Sequence, residues 1–243
     1  MTSGVDDLDA LVEGAKRFSI SLDDRQLTQF GRYKKLLLEW NERMNLTAIT
    51  NDKDIQIRHF LDSLTCSLVT GDLSGQSLVD AGTGAGFPGI PLKIYFPDMK
   101  LTLVESVTKK TTFLEVLVRE LGLEDVDIVA ERLEIVGQDP VYRESFDWAV
   151  SRGVVKVAVL VEYLLPLCRI GGRMLAQKGS SVLEALDAAK QTIEILGGGE
   201  PEILPVDLTE TQQSHTLVVI PKLTASPAKY PRRPGIPSKR PLN

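Results

Sequence analysis

Three alternating glycines follow a short apolar segment and offer a backbone surface on which a nucleotide-like ligand can lie. The apolar segment ends at Asp80, then come Gly82, Gly84 and Gly86, and Pro88 stands where a helix can begin. Glycine tolerates positive φ and has no Cβ to keep a ligand away from the main-chain amides. Proline in a first helical turn loses no hydrogen bond. The pattern predicts a strand, a tight turn and a helix, which is where an open α/β sheet binds nucleotides.

The spacing of the glycines disfavours two phosphate-binding motifs. Counted from Gly82, the sixth position of the dinucleotide fingerprint is Phe87 rather than glycine, so a dehydrogenase is the weakest interpretation. The tripeptide Gly-Lys-Ser/Thr of the phosphate-binding loop does not occur in the sequence. A Gly-x-Gly-x-Gly loop after an acidic strand end instead suits a ligand with an amine and a ribose, such as S-adenosylmethionine. Asp80 is then placed to orient the water or amine around the methionyl group.

A second acidic residue ends the next apolar segment of the chain. Glu105 closes residues 101–105 and is placed to accept hydrogen bonds from both ribose hydroxyls, as the acidic residue of the dinucleotide fold does. The alternatives are a tight surface turn for the glycines and a solvated strand end for Glu105. The two features occur on successive strands, and together they favour a ligand site.

Two later strand ends add further candidates. Leu133 and Glu134 follow the strand predicted near residues 126–130 and are placed to frame an adenine. Arg152 follows the strand predicted near 146–150, where its guanidinium can hold a carboxylate or a phosphate with two hydrogen bonds. The alternative for Arg152 is a surface salt bridge.

The elements that position these residues alternate along the chain from Ser77 onward. Helices are predicted at about 88–96, 109–121, 154–168 and 180–196. Strands are predicted near 78–80, 101–105, 126–130, 146–150, 173–177, 202–206 and 216–220. Alternation of this kind implies parallel βαβ units. The sequence thus predicts an α/β fold of the Rossmann-like methyltransferase type, with a seven-stranded, mostly parallel sheet, helices on both faces and a final strand free to turn antiparallel.

Residues 1–70 are predicted to form an N-terminal α-helical extension. A weak helix covers 6–18, a stronger one begins with a capping box at Ser21 and Asp24, and a third follows Asn51 or Asp52 with Leu68 among its inward residues. On this third helix Arg58 and Asp62 are four residues apart, which favours a surface ion pair. We expect a methyltransferase domain over 71–222 and a basic, proline-rich tail over 223–243.

Composition is that of a globular protein, with 43% hydrophobic and 25% charged residues. No segment is long enough to span a membrane and no leader pattern is present, so we expect a cytoplasmic protein. The net charge is −5, yet the six basic residues from Lys222 onward are accompanied by no acidic one, which leaves −11 on the rest of the chain. Such an asymmetry is typical of a phosphate-binding tail; a disordered, solubilising tail is the alternative.

Five segments together resemble the bacterial ribosomal RNA small-subunit methyltransferase G family, also called glucose-inhibited division protein B. The resemblance covers about residue 15 to the end of the chain, with Ala81 standing where a larger aliphatic residue is commoner. The segments are 39–47 (EWNERMNLT), 58–63 (RHFLDS), 80–89 (DAGTGAGFPG), 151–152 (SR) and 229–242 (KYPRRPGIPSKRPL).

The resemblance implies transfer of a methyl group from S-adenosylmethionine to N7 of one guanine in the decoding-region loop of 16S rRNA. It also implies cofactor contacts at Gly82, Phe87, Leu133, Glu134 and Arg152, with Glu105 at the ribose. Guanine N7 carries a free lone pair, so no general base is needed, and the sequence identifies no catalytic residue. We expect a monomer that binds no metal and acts on 16S rRNA or on the small ribosomal subunit.

Contacts with RNA phosphates are a further hypothesis. The residues expected to make them are Arg58, His59, Arg232 and Arg233. A methyltransferase for a small molecule and a non-enzymatic nucleotide-binding or ribosome-binding protein are the alternative functions.

Overall fold

A seven-stranded sheet forms the centre of the protein. The computed structural model describes residues 8–153, 155–179, 182–208 and 213–242. The strands are β1 (Ser77–Ala81), β2 (Lys100–Val104), β3 (Val126–Val129), β4 (Phe146–Arg152), β5 (Cys168–Gly179), β6 (Glu202–Leu208) and β7 (Gln213–Pro221). Their order across the sheet is β3-β2-β1-β4-β5-β7-β6.

The sheet is mostly parallel, as the sequence predicts. Strands β1 to β5 pair in parallel, and β7 runs antiparallel to both of its neighbours, β5 and β6. The helices that follow the strands are α6 (Gly89–Tyr95), α7 (Thr108–Glu120), α8 (Leu133–Val136), α9 (Val157–Leu164) and α10 (Val182–Ile195). The carboxyl ends of β1, β2, β3 and β4 therefore meet at one edge of the sheet, where the candidate residues stand.

The N-terminal helices pack on one face of this sheet. They are α1 (Asp9–Arg17), α2 (Asp24–Met44), α3 (Asp52–Ile55), a π-helical stretch (Gln56–Leu61), α4 (Asp62–Leu64) and α5 (Ser67–Thr70). Phe30 and Phe60 lie with ring centroids 5.0 Å apart in a core that continues to Leu78 and Leu103 on the strands. The helical extension and this face of the sheet thus share one hydrophobic core.

Two local predictions in this region are corrected, and a third correction concerns α8. The capping box of α2 is formed by Asp23 and Gln26 rather than by Ser21 and Asp24. The Asp23 carboxylate accepts from the backbone N–H of Gln26, and the side-chain oxygen of Gln26 accepts from the backbone N–H of Asp23. Leu68 is 39% exposed, since the predicted helix breaks before α5. The short helix α8, after β3, lies where no helix is predicted from the sequence.

The tail packs along the body of the protein. Residues 223–242 include a short helix, α11 (Ile236–Lys239), and Tyr230 is buried against the core on the second face of the sheet. The Arg143 guanidinium donates to four backbone carbonyls, three of which belong to the tail segment 226–230. Just before the tail, the Lys222 ammonium is buried and lies 3.2 Å from Glu144. The basic excess of the C-terminal segment is therefore partly neutralised by acids of the body.

Candidate functional site

The glycine loop after β1 has the backbone conformation that its sequence predicts. Gly82 and Gly84 have φ of 72° and 63°, and a Cβ added at either position would meet no atom within 4 Å, so their conformation rather than crowding favours glycine. Gly86 is restricted in both ways, because φ is 102° and a Cβ would lie 2.8 Å from the Tyr33 hydroxyl. The loop leaves its surface open above Gly82 and Gly84.

Asp80 lies fully buried beneath this loop. Its Oδ2 accepts hydrogen bonds from the Thr83 hydroxyl at 2.6 Å and from the Gly89 amide at 2.8 Å. Its Oδ1 has no hydrogen-bond partner among the described residues. Burial raises the pKa of this carboxyl to about 6, against the lowering effect of the two hydrogen bonds. Asp80 thus fixes the loop and retains one buried oxygen for a further donor.

Glu105 connects the end of β2 to the same loop. Its Oε2 accepts from the Gly84 amide at 3.1 Å and its Oε1 accepts from the Val107 amide at 2.9 Å. The Lys110 ammonium lies 3.9 Å from Oε2. The carboxylate is only 7% exposed, so it is held in place beside the glycines.

A cavity of about 150 Å³ joins the ends of β1, β2 and β3. Four predicted residues, Gly82, Glu105, Leu133 and Glu134, line it together. Three lining residues that the sequence did not indicate are Tyr163, Gly235 and Ser238.

Glu134 is held by residues from two other parts of the chain. Its Oε1 accepts from the Gly235 amide at 2.8 Å and from the Tyr163 hydroxyl at 3.2 Å. The Tyr163 hydroxyl is also 3.1 Å from the Ser238 hydroxyl. The tail therefore forms one wall of this cavity, although the sequence predicts it as a basic segment separate from the methyltransferase domain.

Arg152 forms the centre of a second cluster, at the end of β4. Its guanidinium carbon lies 4.7 Å from the centroid of the Phe87 ring, a cation–π geometry. The same guanidinium is 3.2 Å from the Asp62 carboxylate and donates to the Arg58 carbonyl at 3.1 Å. Phe87 is in turn stacked on Tyr33, with centroids 5.2 Å apart.

The predicted pair between Arg58 and Asp62 is wrong. Arg58 lies 3.8 Å from Asp54 on the N-terminal side of its helix. Asp62 instead faces Arg152 and His215, whose Nδ1 is 3.0 Å from its Oδ1. Tertiary packing turns Asp62 towards the sheet, which the local spacing of charges could not show.

His59 is buried in the same cluster. Its ring is stacked on Phe87 at 4.5 Å, its Nε2 is 2.8 Å from the Thr47 hydroxyl and its Nδ1 is 3.2 Å from the Arg152 guanidinium. Burial first, and then the positive charge of Arg152, lower the pKa of His59 to about 3. The residue is therefore neutral at physiological pH. A direct contact of His59 with RNA phosphates stays a prediction.

The two arginines predicted to bind RNA in the tail differ in their surroundings. Arg232 donates to both oxygens of Glu162, at 2.8 Å and 2.6 Å, and Glu162 is completely buried. Arg233 is exposed. The role of either residue in RNA binding stays a prediction. Of the two, Arg232 is engaged by the buried Glu162, whereas Arg233 is exposed to solvent.

Two further features, metal-ligand clusters and membrane-spanning helices, concern the part of the chain that the structure describes. Within 8–153, 155–179, 182–208 and 213–242, His, Cys, Asp and Glu side chains form no group of three that could hold a metal ion. No helix within those same ranges has both the length and the apolar character required to cross a membrane.

Sequence comparison gives consistent matches over nearly the whole chain. The family model GidB, described as rRNA small subunit methyltransferase G, matches residues 26–214. A protein named ribosomal RNA small subunit methyltransferase G from Roseiflexus castenholzii is 49% identical over 235 residues, covering 97% of this chain and 100% of that protein. One of the same name from Alkaliphilus metalliredigens is 46% identical over 232 residues, covering 96% and 97%.

Solved structures show the same fold at low sequence identity. A SAM-dependent O-methyltransferase from Thermotoga maritima superposes with a TM-score of 0.54 at 14% identity, over 79% of this chain and 72% of the other. A 16S rRNA (adenine(1408)-N(1))-methyltransferase variant from Catenulisporales acidiphilia gives 0.52 at 15% identity, over 64% and 88%. At this level of identity the likeness bears on the fold alone.

Proposed function

Because the chain belongs to the rRNA small subunit methyltransferase G family, we propose that it transfers a methyl group from S-adenosylmethionine to N7 of a guanine in the decoding-region loop of 16S rRNA. The observation that carries this proposal is the cavity in which Gly82, Glu105 and Glu134 meet. It combines an open glycine backbone with two fixed carboxylates, which is the set of groups that an adenosine with free ribose hydroxyls requires.

The residues at this edge of the sheet are of the kinds that the separate parts of this cofactor require. Glu105 would accept the ribose hydroxyls, Leu133 and Glu134 would frame the adenine, and the amides of the glycine loop would face the methionyl part. Arg152 would hold the methionyl carboxylate, since its guanidinium lies above Phe87 at the next strand end. Asp80 keeps a buried oxygen without a partner among the described residues, and the amine of the methionyl group is a donor of the required kind.

The main task of the protein in this reaction would be to place the guanine base against the methyl group. When bound, S-adenosylmethionine supplies an electrophilic methyl group on a sulfonium, and guanine N7 is already nucleophilic. The residues of the chain would hold the base in line with that methyl group, so proximity is the main contribution to the rate. The neutral His59 and the buried Asp62 fix Arg152, and no acid or base is required.

The RNA would bind through exposed basic side chains near this edge of the sheet. The side chain of Arg58 is 33% exposed, and Arg233 is exposed on the tail. Both can contact phosphates, which gives affinity without base specificity. His59 and Arg232 would act by positioning other residues, because His59 is buried and Arg232 binds Glu162.

Methyl transfer to defined substrates tests the proposal. Labelled S-adenosylmethionine is incubated with small ribosomal subunits and with naked 16S rRNA, both from cells that lack this gene, and the nucleosides are analysed. We expect label in 7-methylguanosine. Label in another nucleoside would contradict the N7 assignment. Cofactor binding without RNA label would favour a small-molecule methyltransferase or a non-enzymatic protein.

A cytoplasmic location and a monomeric state complete the proposal. Both are consistent with a substrate that is ribosomal RNA, and gel filtration coupled to light scattering tests the second.

A further inference from the structure

The tail has one side on the cofactor cavity and one side in solvent. On the inner side, the Gly235 amide donates to Glu134 at 2.8 Å and Ser238 lies 3.1 Å from Tyr163. Pro237, between them, is buried. The tail is thus built into the wall of the site.

The outer side of the same short segment is basic. Arg233, Lys239 and Arg240 are exposed and flank the two inner contacts in sequence. The two carboxylates that bind this part of the tail, Glu134 and Glu162, accept hydrogen bonds from Gly235 and Arg232. The exposed cations are therefore placed to meet a polyanion, while the backbone between them holds a cavity residue.

The segment before these contacts is fixed independently of the cavity. Arg143 binds the carbonyls of Ser226 and Tyr230, and Gln138 donates to the carbonyls of Ala228 and Pro231. Arg232 is bound to Glu162. Residues 233–240 follow this anchor, so a ligand that orders them acts directly on Gly235 and Ser238.

We infer that the tail segment 233–240 belongs to the cofactor site and the RNA site at once, so that RNA on its outer side raises the affinity for S-adenosylmethionine through Gly235, Ser238 and Tyr163. The inference rests on the proposed function. By linkage, the cofactor must raise the affinity for RNA by the same factor. Couplings of this kind are commonly about 5-fold or more.

Calorimetric titration tests the coupling in the full-length protein. S-adenosylhomocysteine, which cannot donate a methyl group, is titrated into the protein with and without a saturating 16S rRNA transcript. We expect the transcript to lower the dissociation constant about 5-fold. The double variant Y163F/S238A removes both hydroxyls between the tail and Glu134, and we expect its coupling to fall below about 2-fold because the remaining link is a single backbone hydrogen bond.

Lys229→Ala is the matched control. It removes a tail side chain that lies over the Tyr230 ring, outside the cavity, and the variant should retain the coupling. Thermal melting of each variant separates a local effect from unfolding, and hydrogen exchange at residues 235–240 gives an independent readout, since S-adenosylhomocysteine should slow it in the wild type.

The outcomes separate the inference from the function on which it rests. Wild-type protein that binds S-adenosylhomocysteine equally well with and without bound RNA would overturn the coupling and leave the proposed function standing. A coupling that survives in folded Y163F/S238A would overturn the assigned route. Failure of the wild type to bind S-adenosylhomocysteine would instead contradict the proposed function itself.

Discussion

The carboxylate of Asp62 lies 3.2 Å from the guanidinium of Arg152 and joins the N-terminal helices to the carboxyl end of β4. Asp62 is 9% exposed, and it also faces His215 on β7 at 3.0 Å. Its own backbone carbonyl accepts from Gln177 on β5. One acidic residue thus fixes the helical extension against three strands and orients the arginine proposed to bind the cofactor.

Asp62→Asn should therefore weaken both folding and cofactor binding. The amide removes the charge that Arg152 and His215 face, so the free energy of unfolding should fall by about 1 to 3 kcal/mol. The affinity for S-adenosylhomocysteine should fall with it. Denaturant unfolding and calorimetric titration measure the two effects. Asp54→Asn is the control: its pair with Arg58 is exposed, and the change in stability should stay within about 0.5 kcal/mol. Equal behaviour of the two variants would refute the assignment.

Asp80→Asn should stabilise the protein near neutral pH and impair cofactor binding. Burial raises the pKa of Asp80 in the folded state to about 6, above its unfolded value near 4, so the folded state binds the extra proton in that range. Stability from this group is present below about pH 4 and is lost as pH rises to about 6. The amide avoids that loss, which is on the order of 2 to 3 kcal/mol at neutral pH. Unfolding curves across pH measure it; a difference that does not vary with pH would contradict the prediction.

His59 should remain neutral throughout the physiological range. Its pKa in the folded state is lowered to about 3, below the unfolded value near 6.5, so the unfolded state binds the extra proton as pH falls. Stability from this group is present above about pH 6.5 and is lost on acidification towards about pH 3. The chain has two histidines, so His59→Gln assigns the resonances in a nuclear magnetic resonance titration. A His59 midpoint near 6.5 would be incompatible with the buried cluster.

The titrations of Asp80 and His59 oppose each other between about pH 4 and pH 6. In each variant, the dependence of the free energy of unfolding on pH should therefore show the titration of the other residue alone. Asp80→Asn should lose stability on acidification more steeply than the wild type does over this interval.

The glycine loop and its neighbouring strand ends were predictable because their chemistry is local. Gly82 and Gly84 need positive φ, and Glu105, which directly follows β2, lines the cavity at this edge of the sheet. Asp80 lies near the end of β1, buried beneath the loop. The antiparallel β7 was predictable as well, since the sequence shows no helical pattern between the last two predicted strands.

Contacts between distant segments were not predictable in this way. Asp62 has a basic neighbour four residues away in Arg58, and the sequence cannot show that Arg152, ninety residues on, takes its place. The sequence does carry a signal for the docked tail, because Glu162 interrupts the otherwise apolar α9, whose residues are all buried. A buried carboxylate needs a cation, and the conformation of the tail supplies Arg232.

The two adjacent arginines of the tail should behave oppositely when removed. Arg232→Ala removes the guanidinium that pairs with the fully buried Glu162. The carboxylate is then a buried charge without a partner cation, so the free energy of unfolding should fall by about 3 to 5 kcal/mol. Arg233→Ala removes an exposed charge, so stability should change by less than about 0.5 kcal/mol while RNA affinity falls and its dependence on salt becomes shallower by about one phosphate contact. Chemical denaturation and filter binding to 16S rRNA at several salt concentrations measure both effects. Unchanged RNA binding in Arg233→Ala would remove this residue from the proposed interface, and a stable Arg232→Ala would show that the Glu162 carboxyl is satisfied by other means.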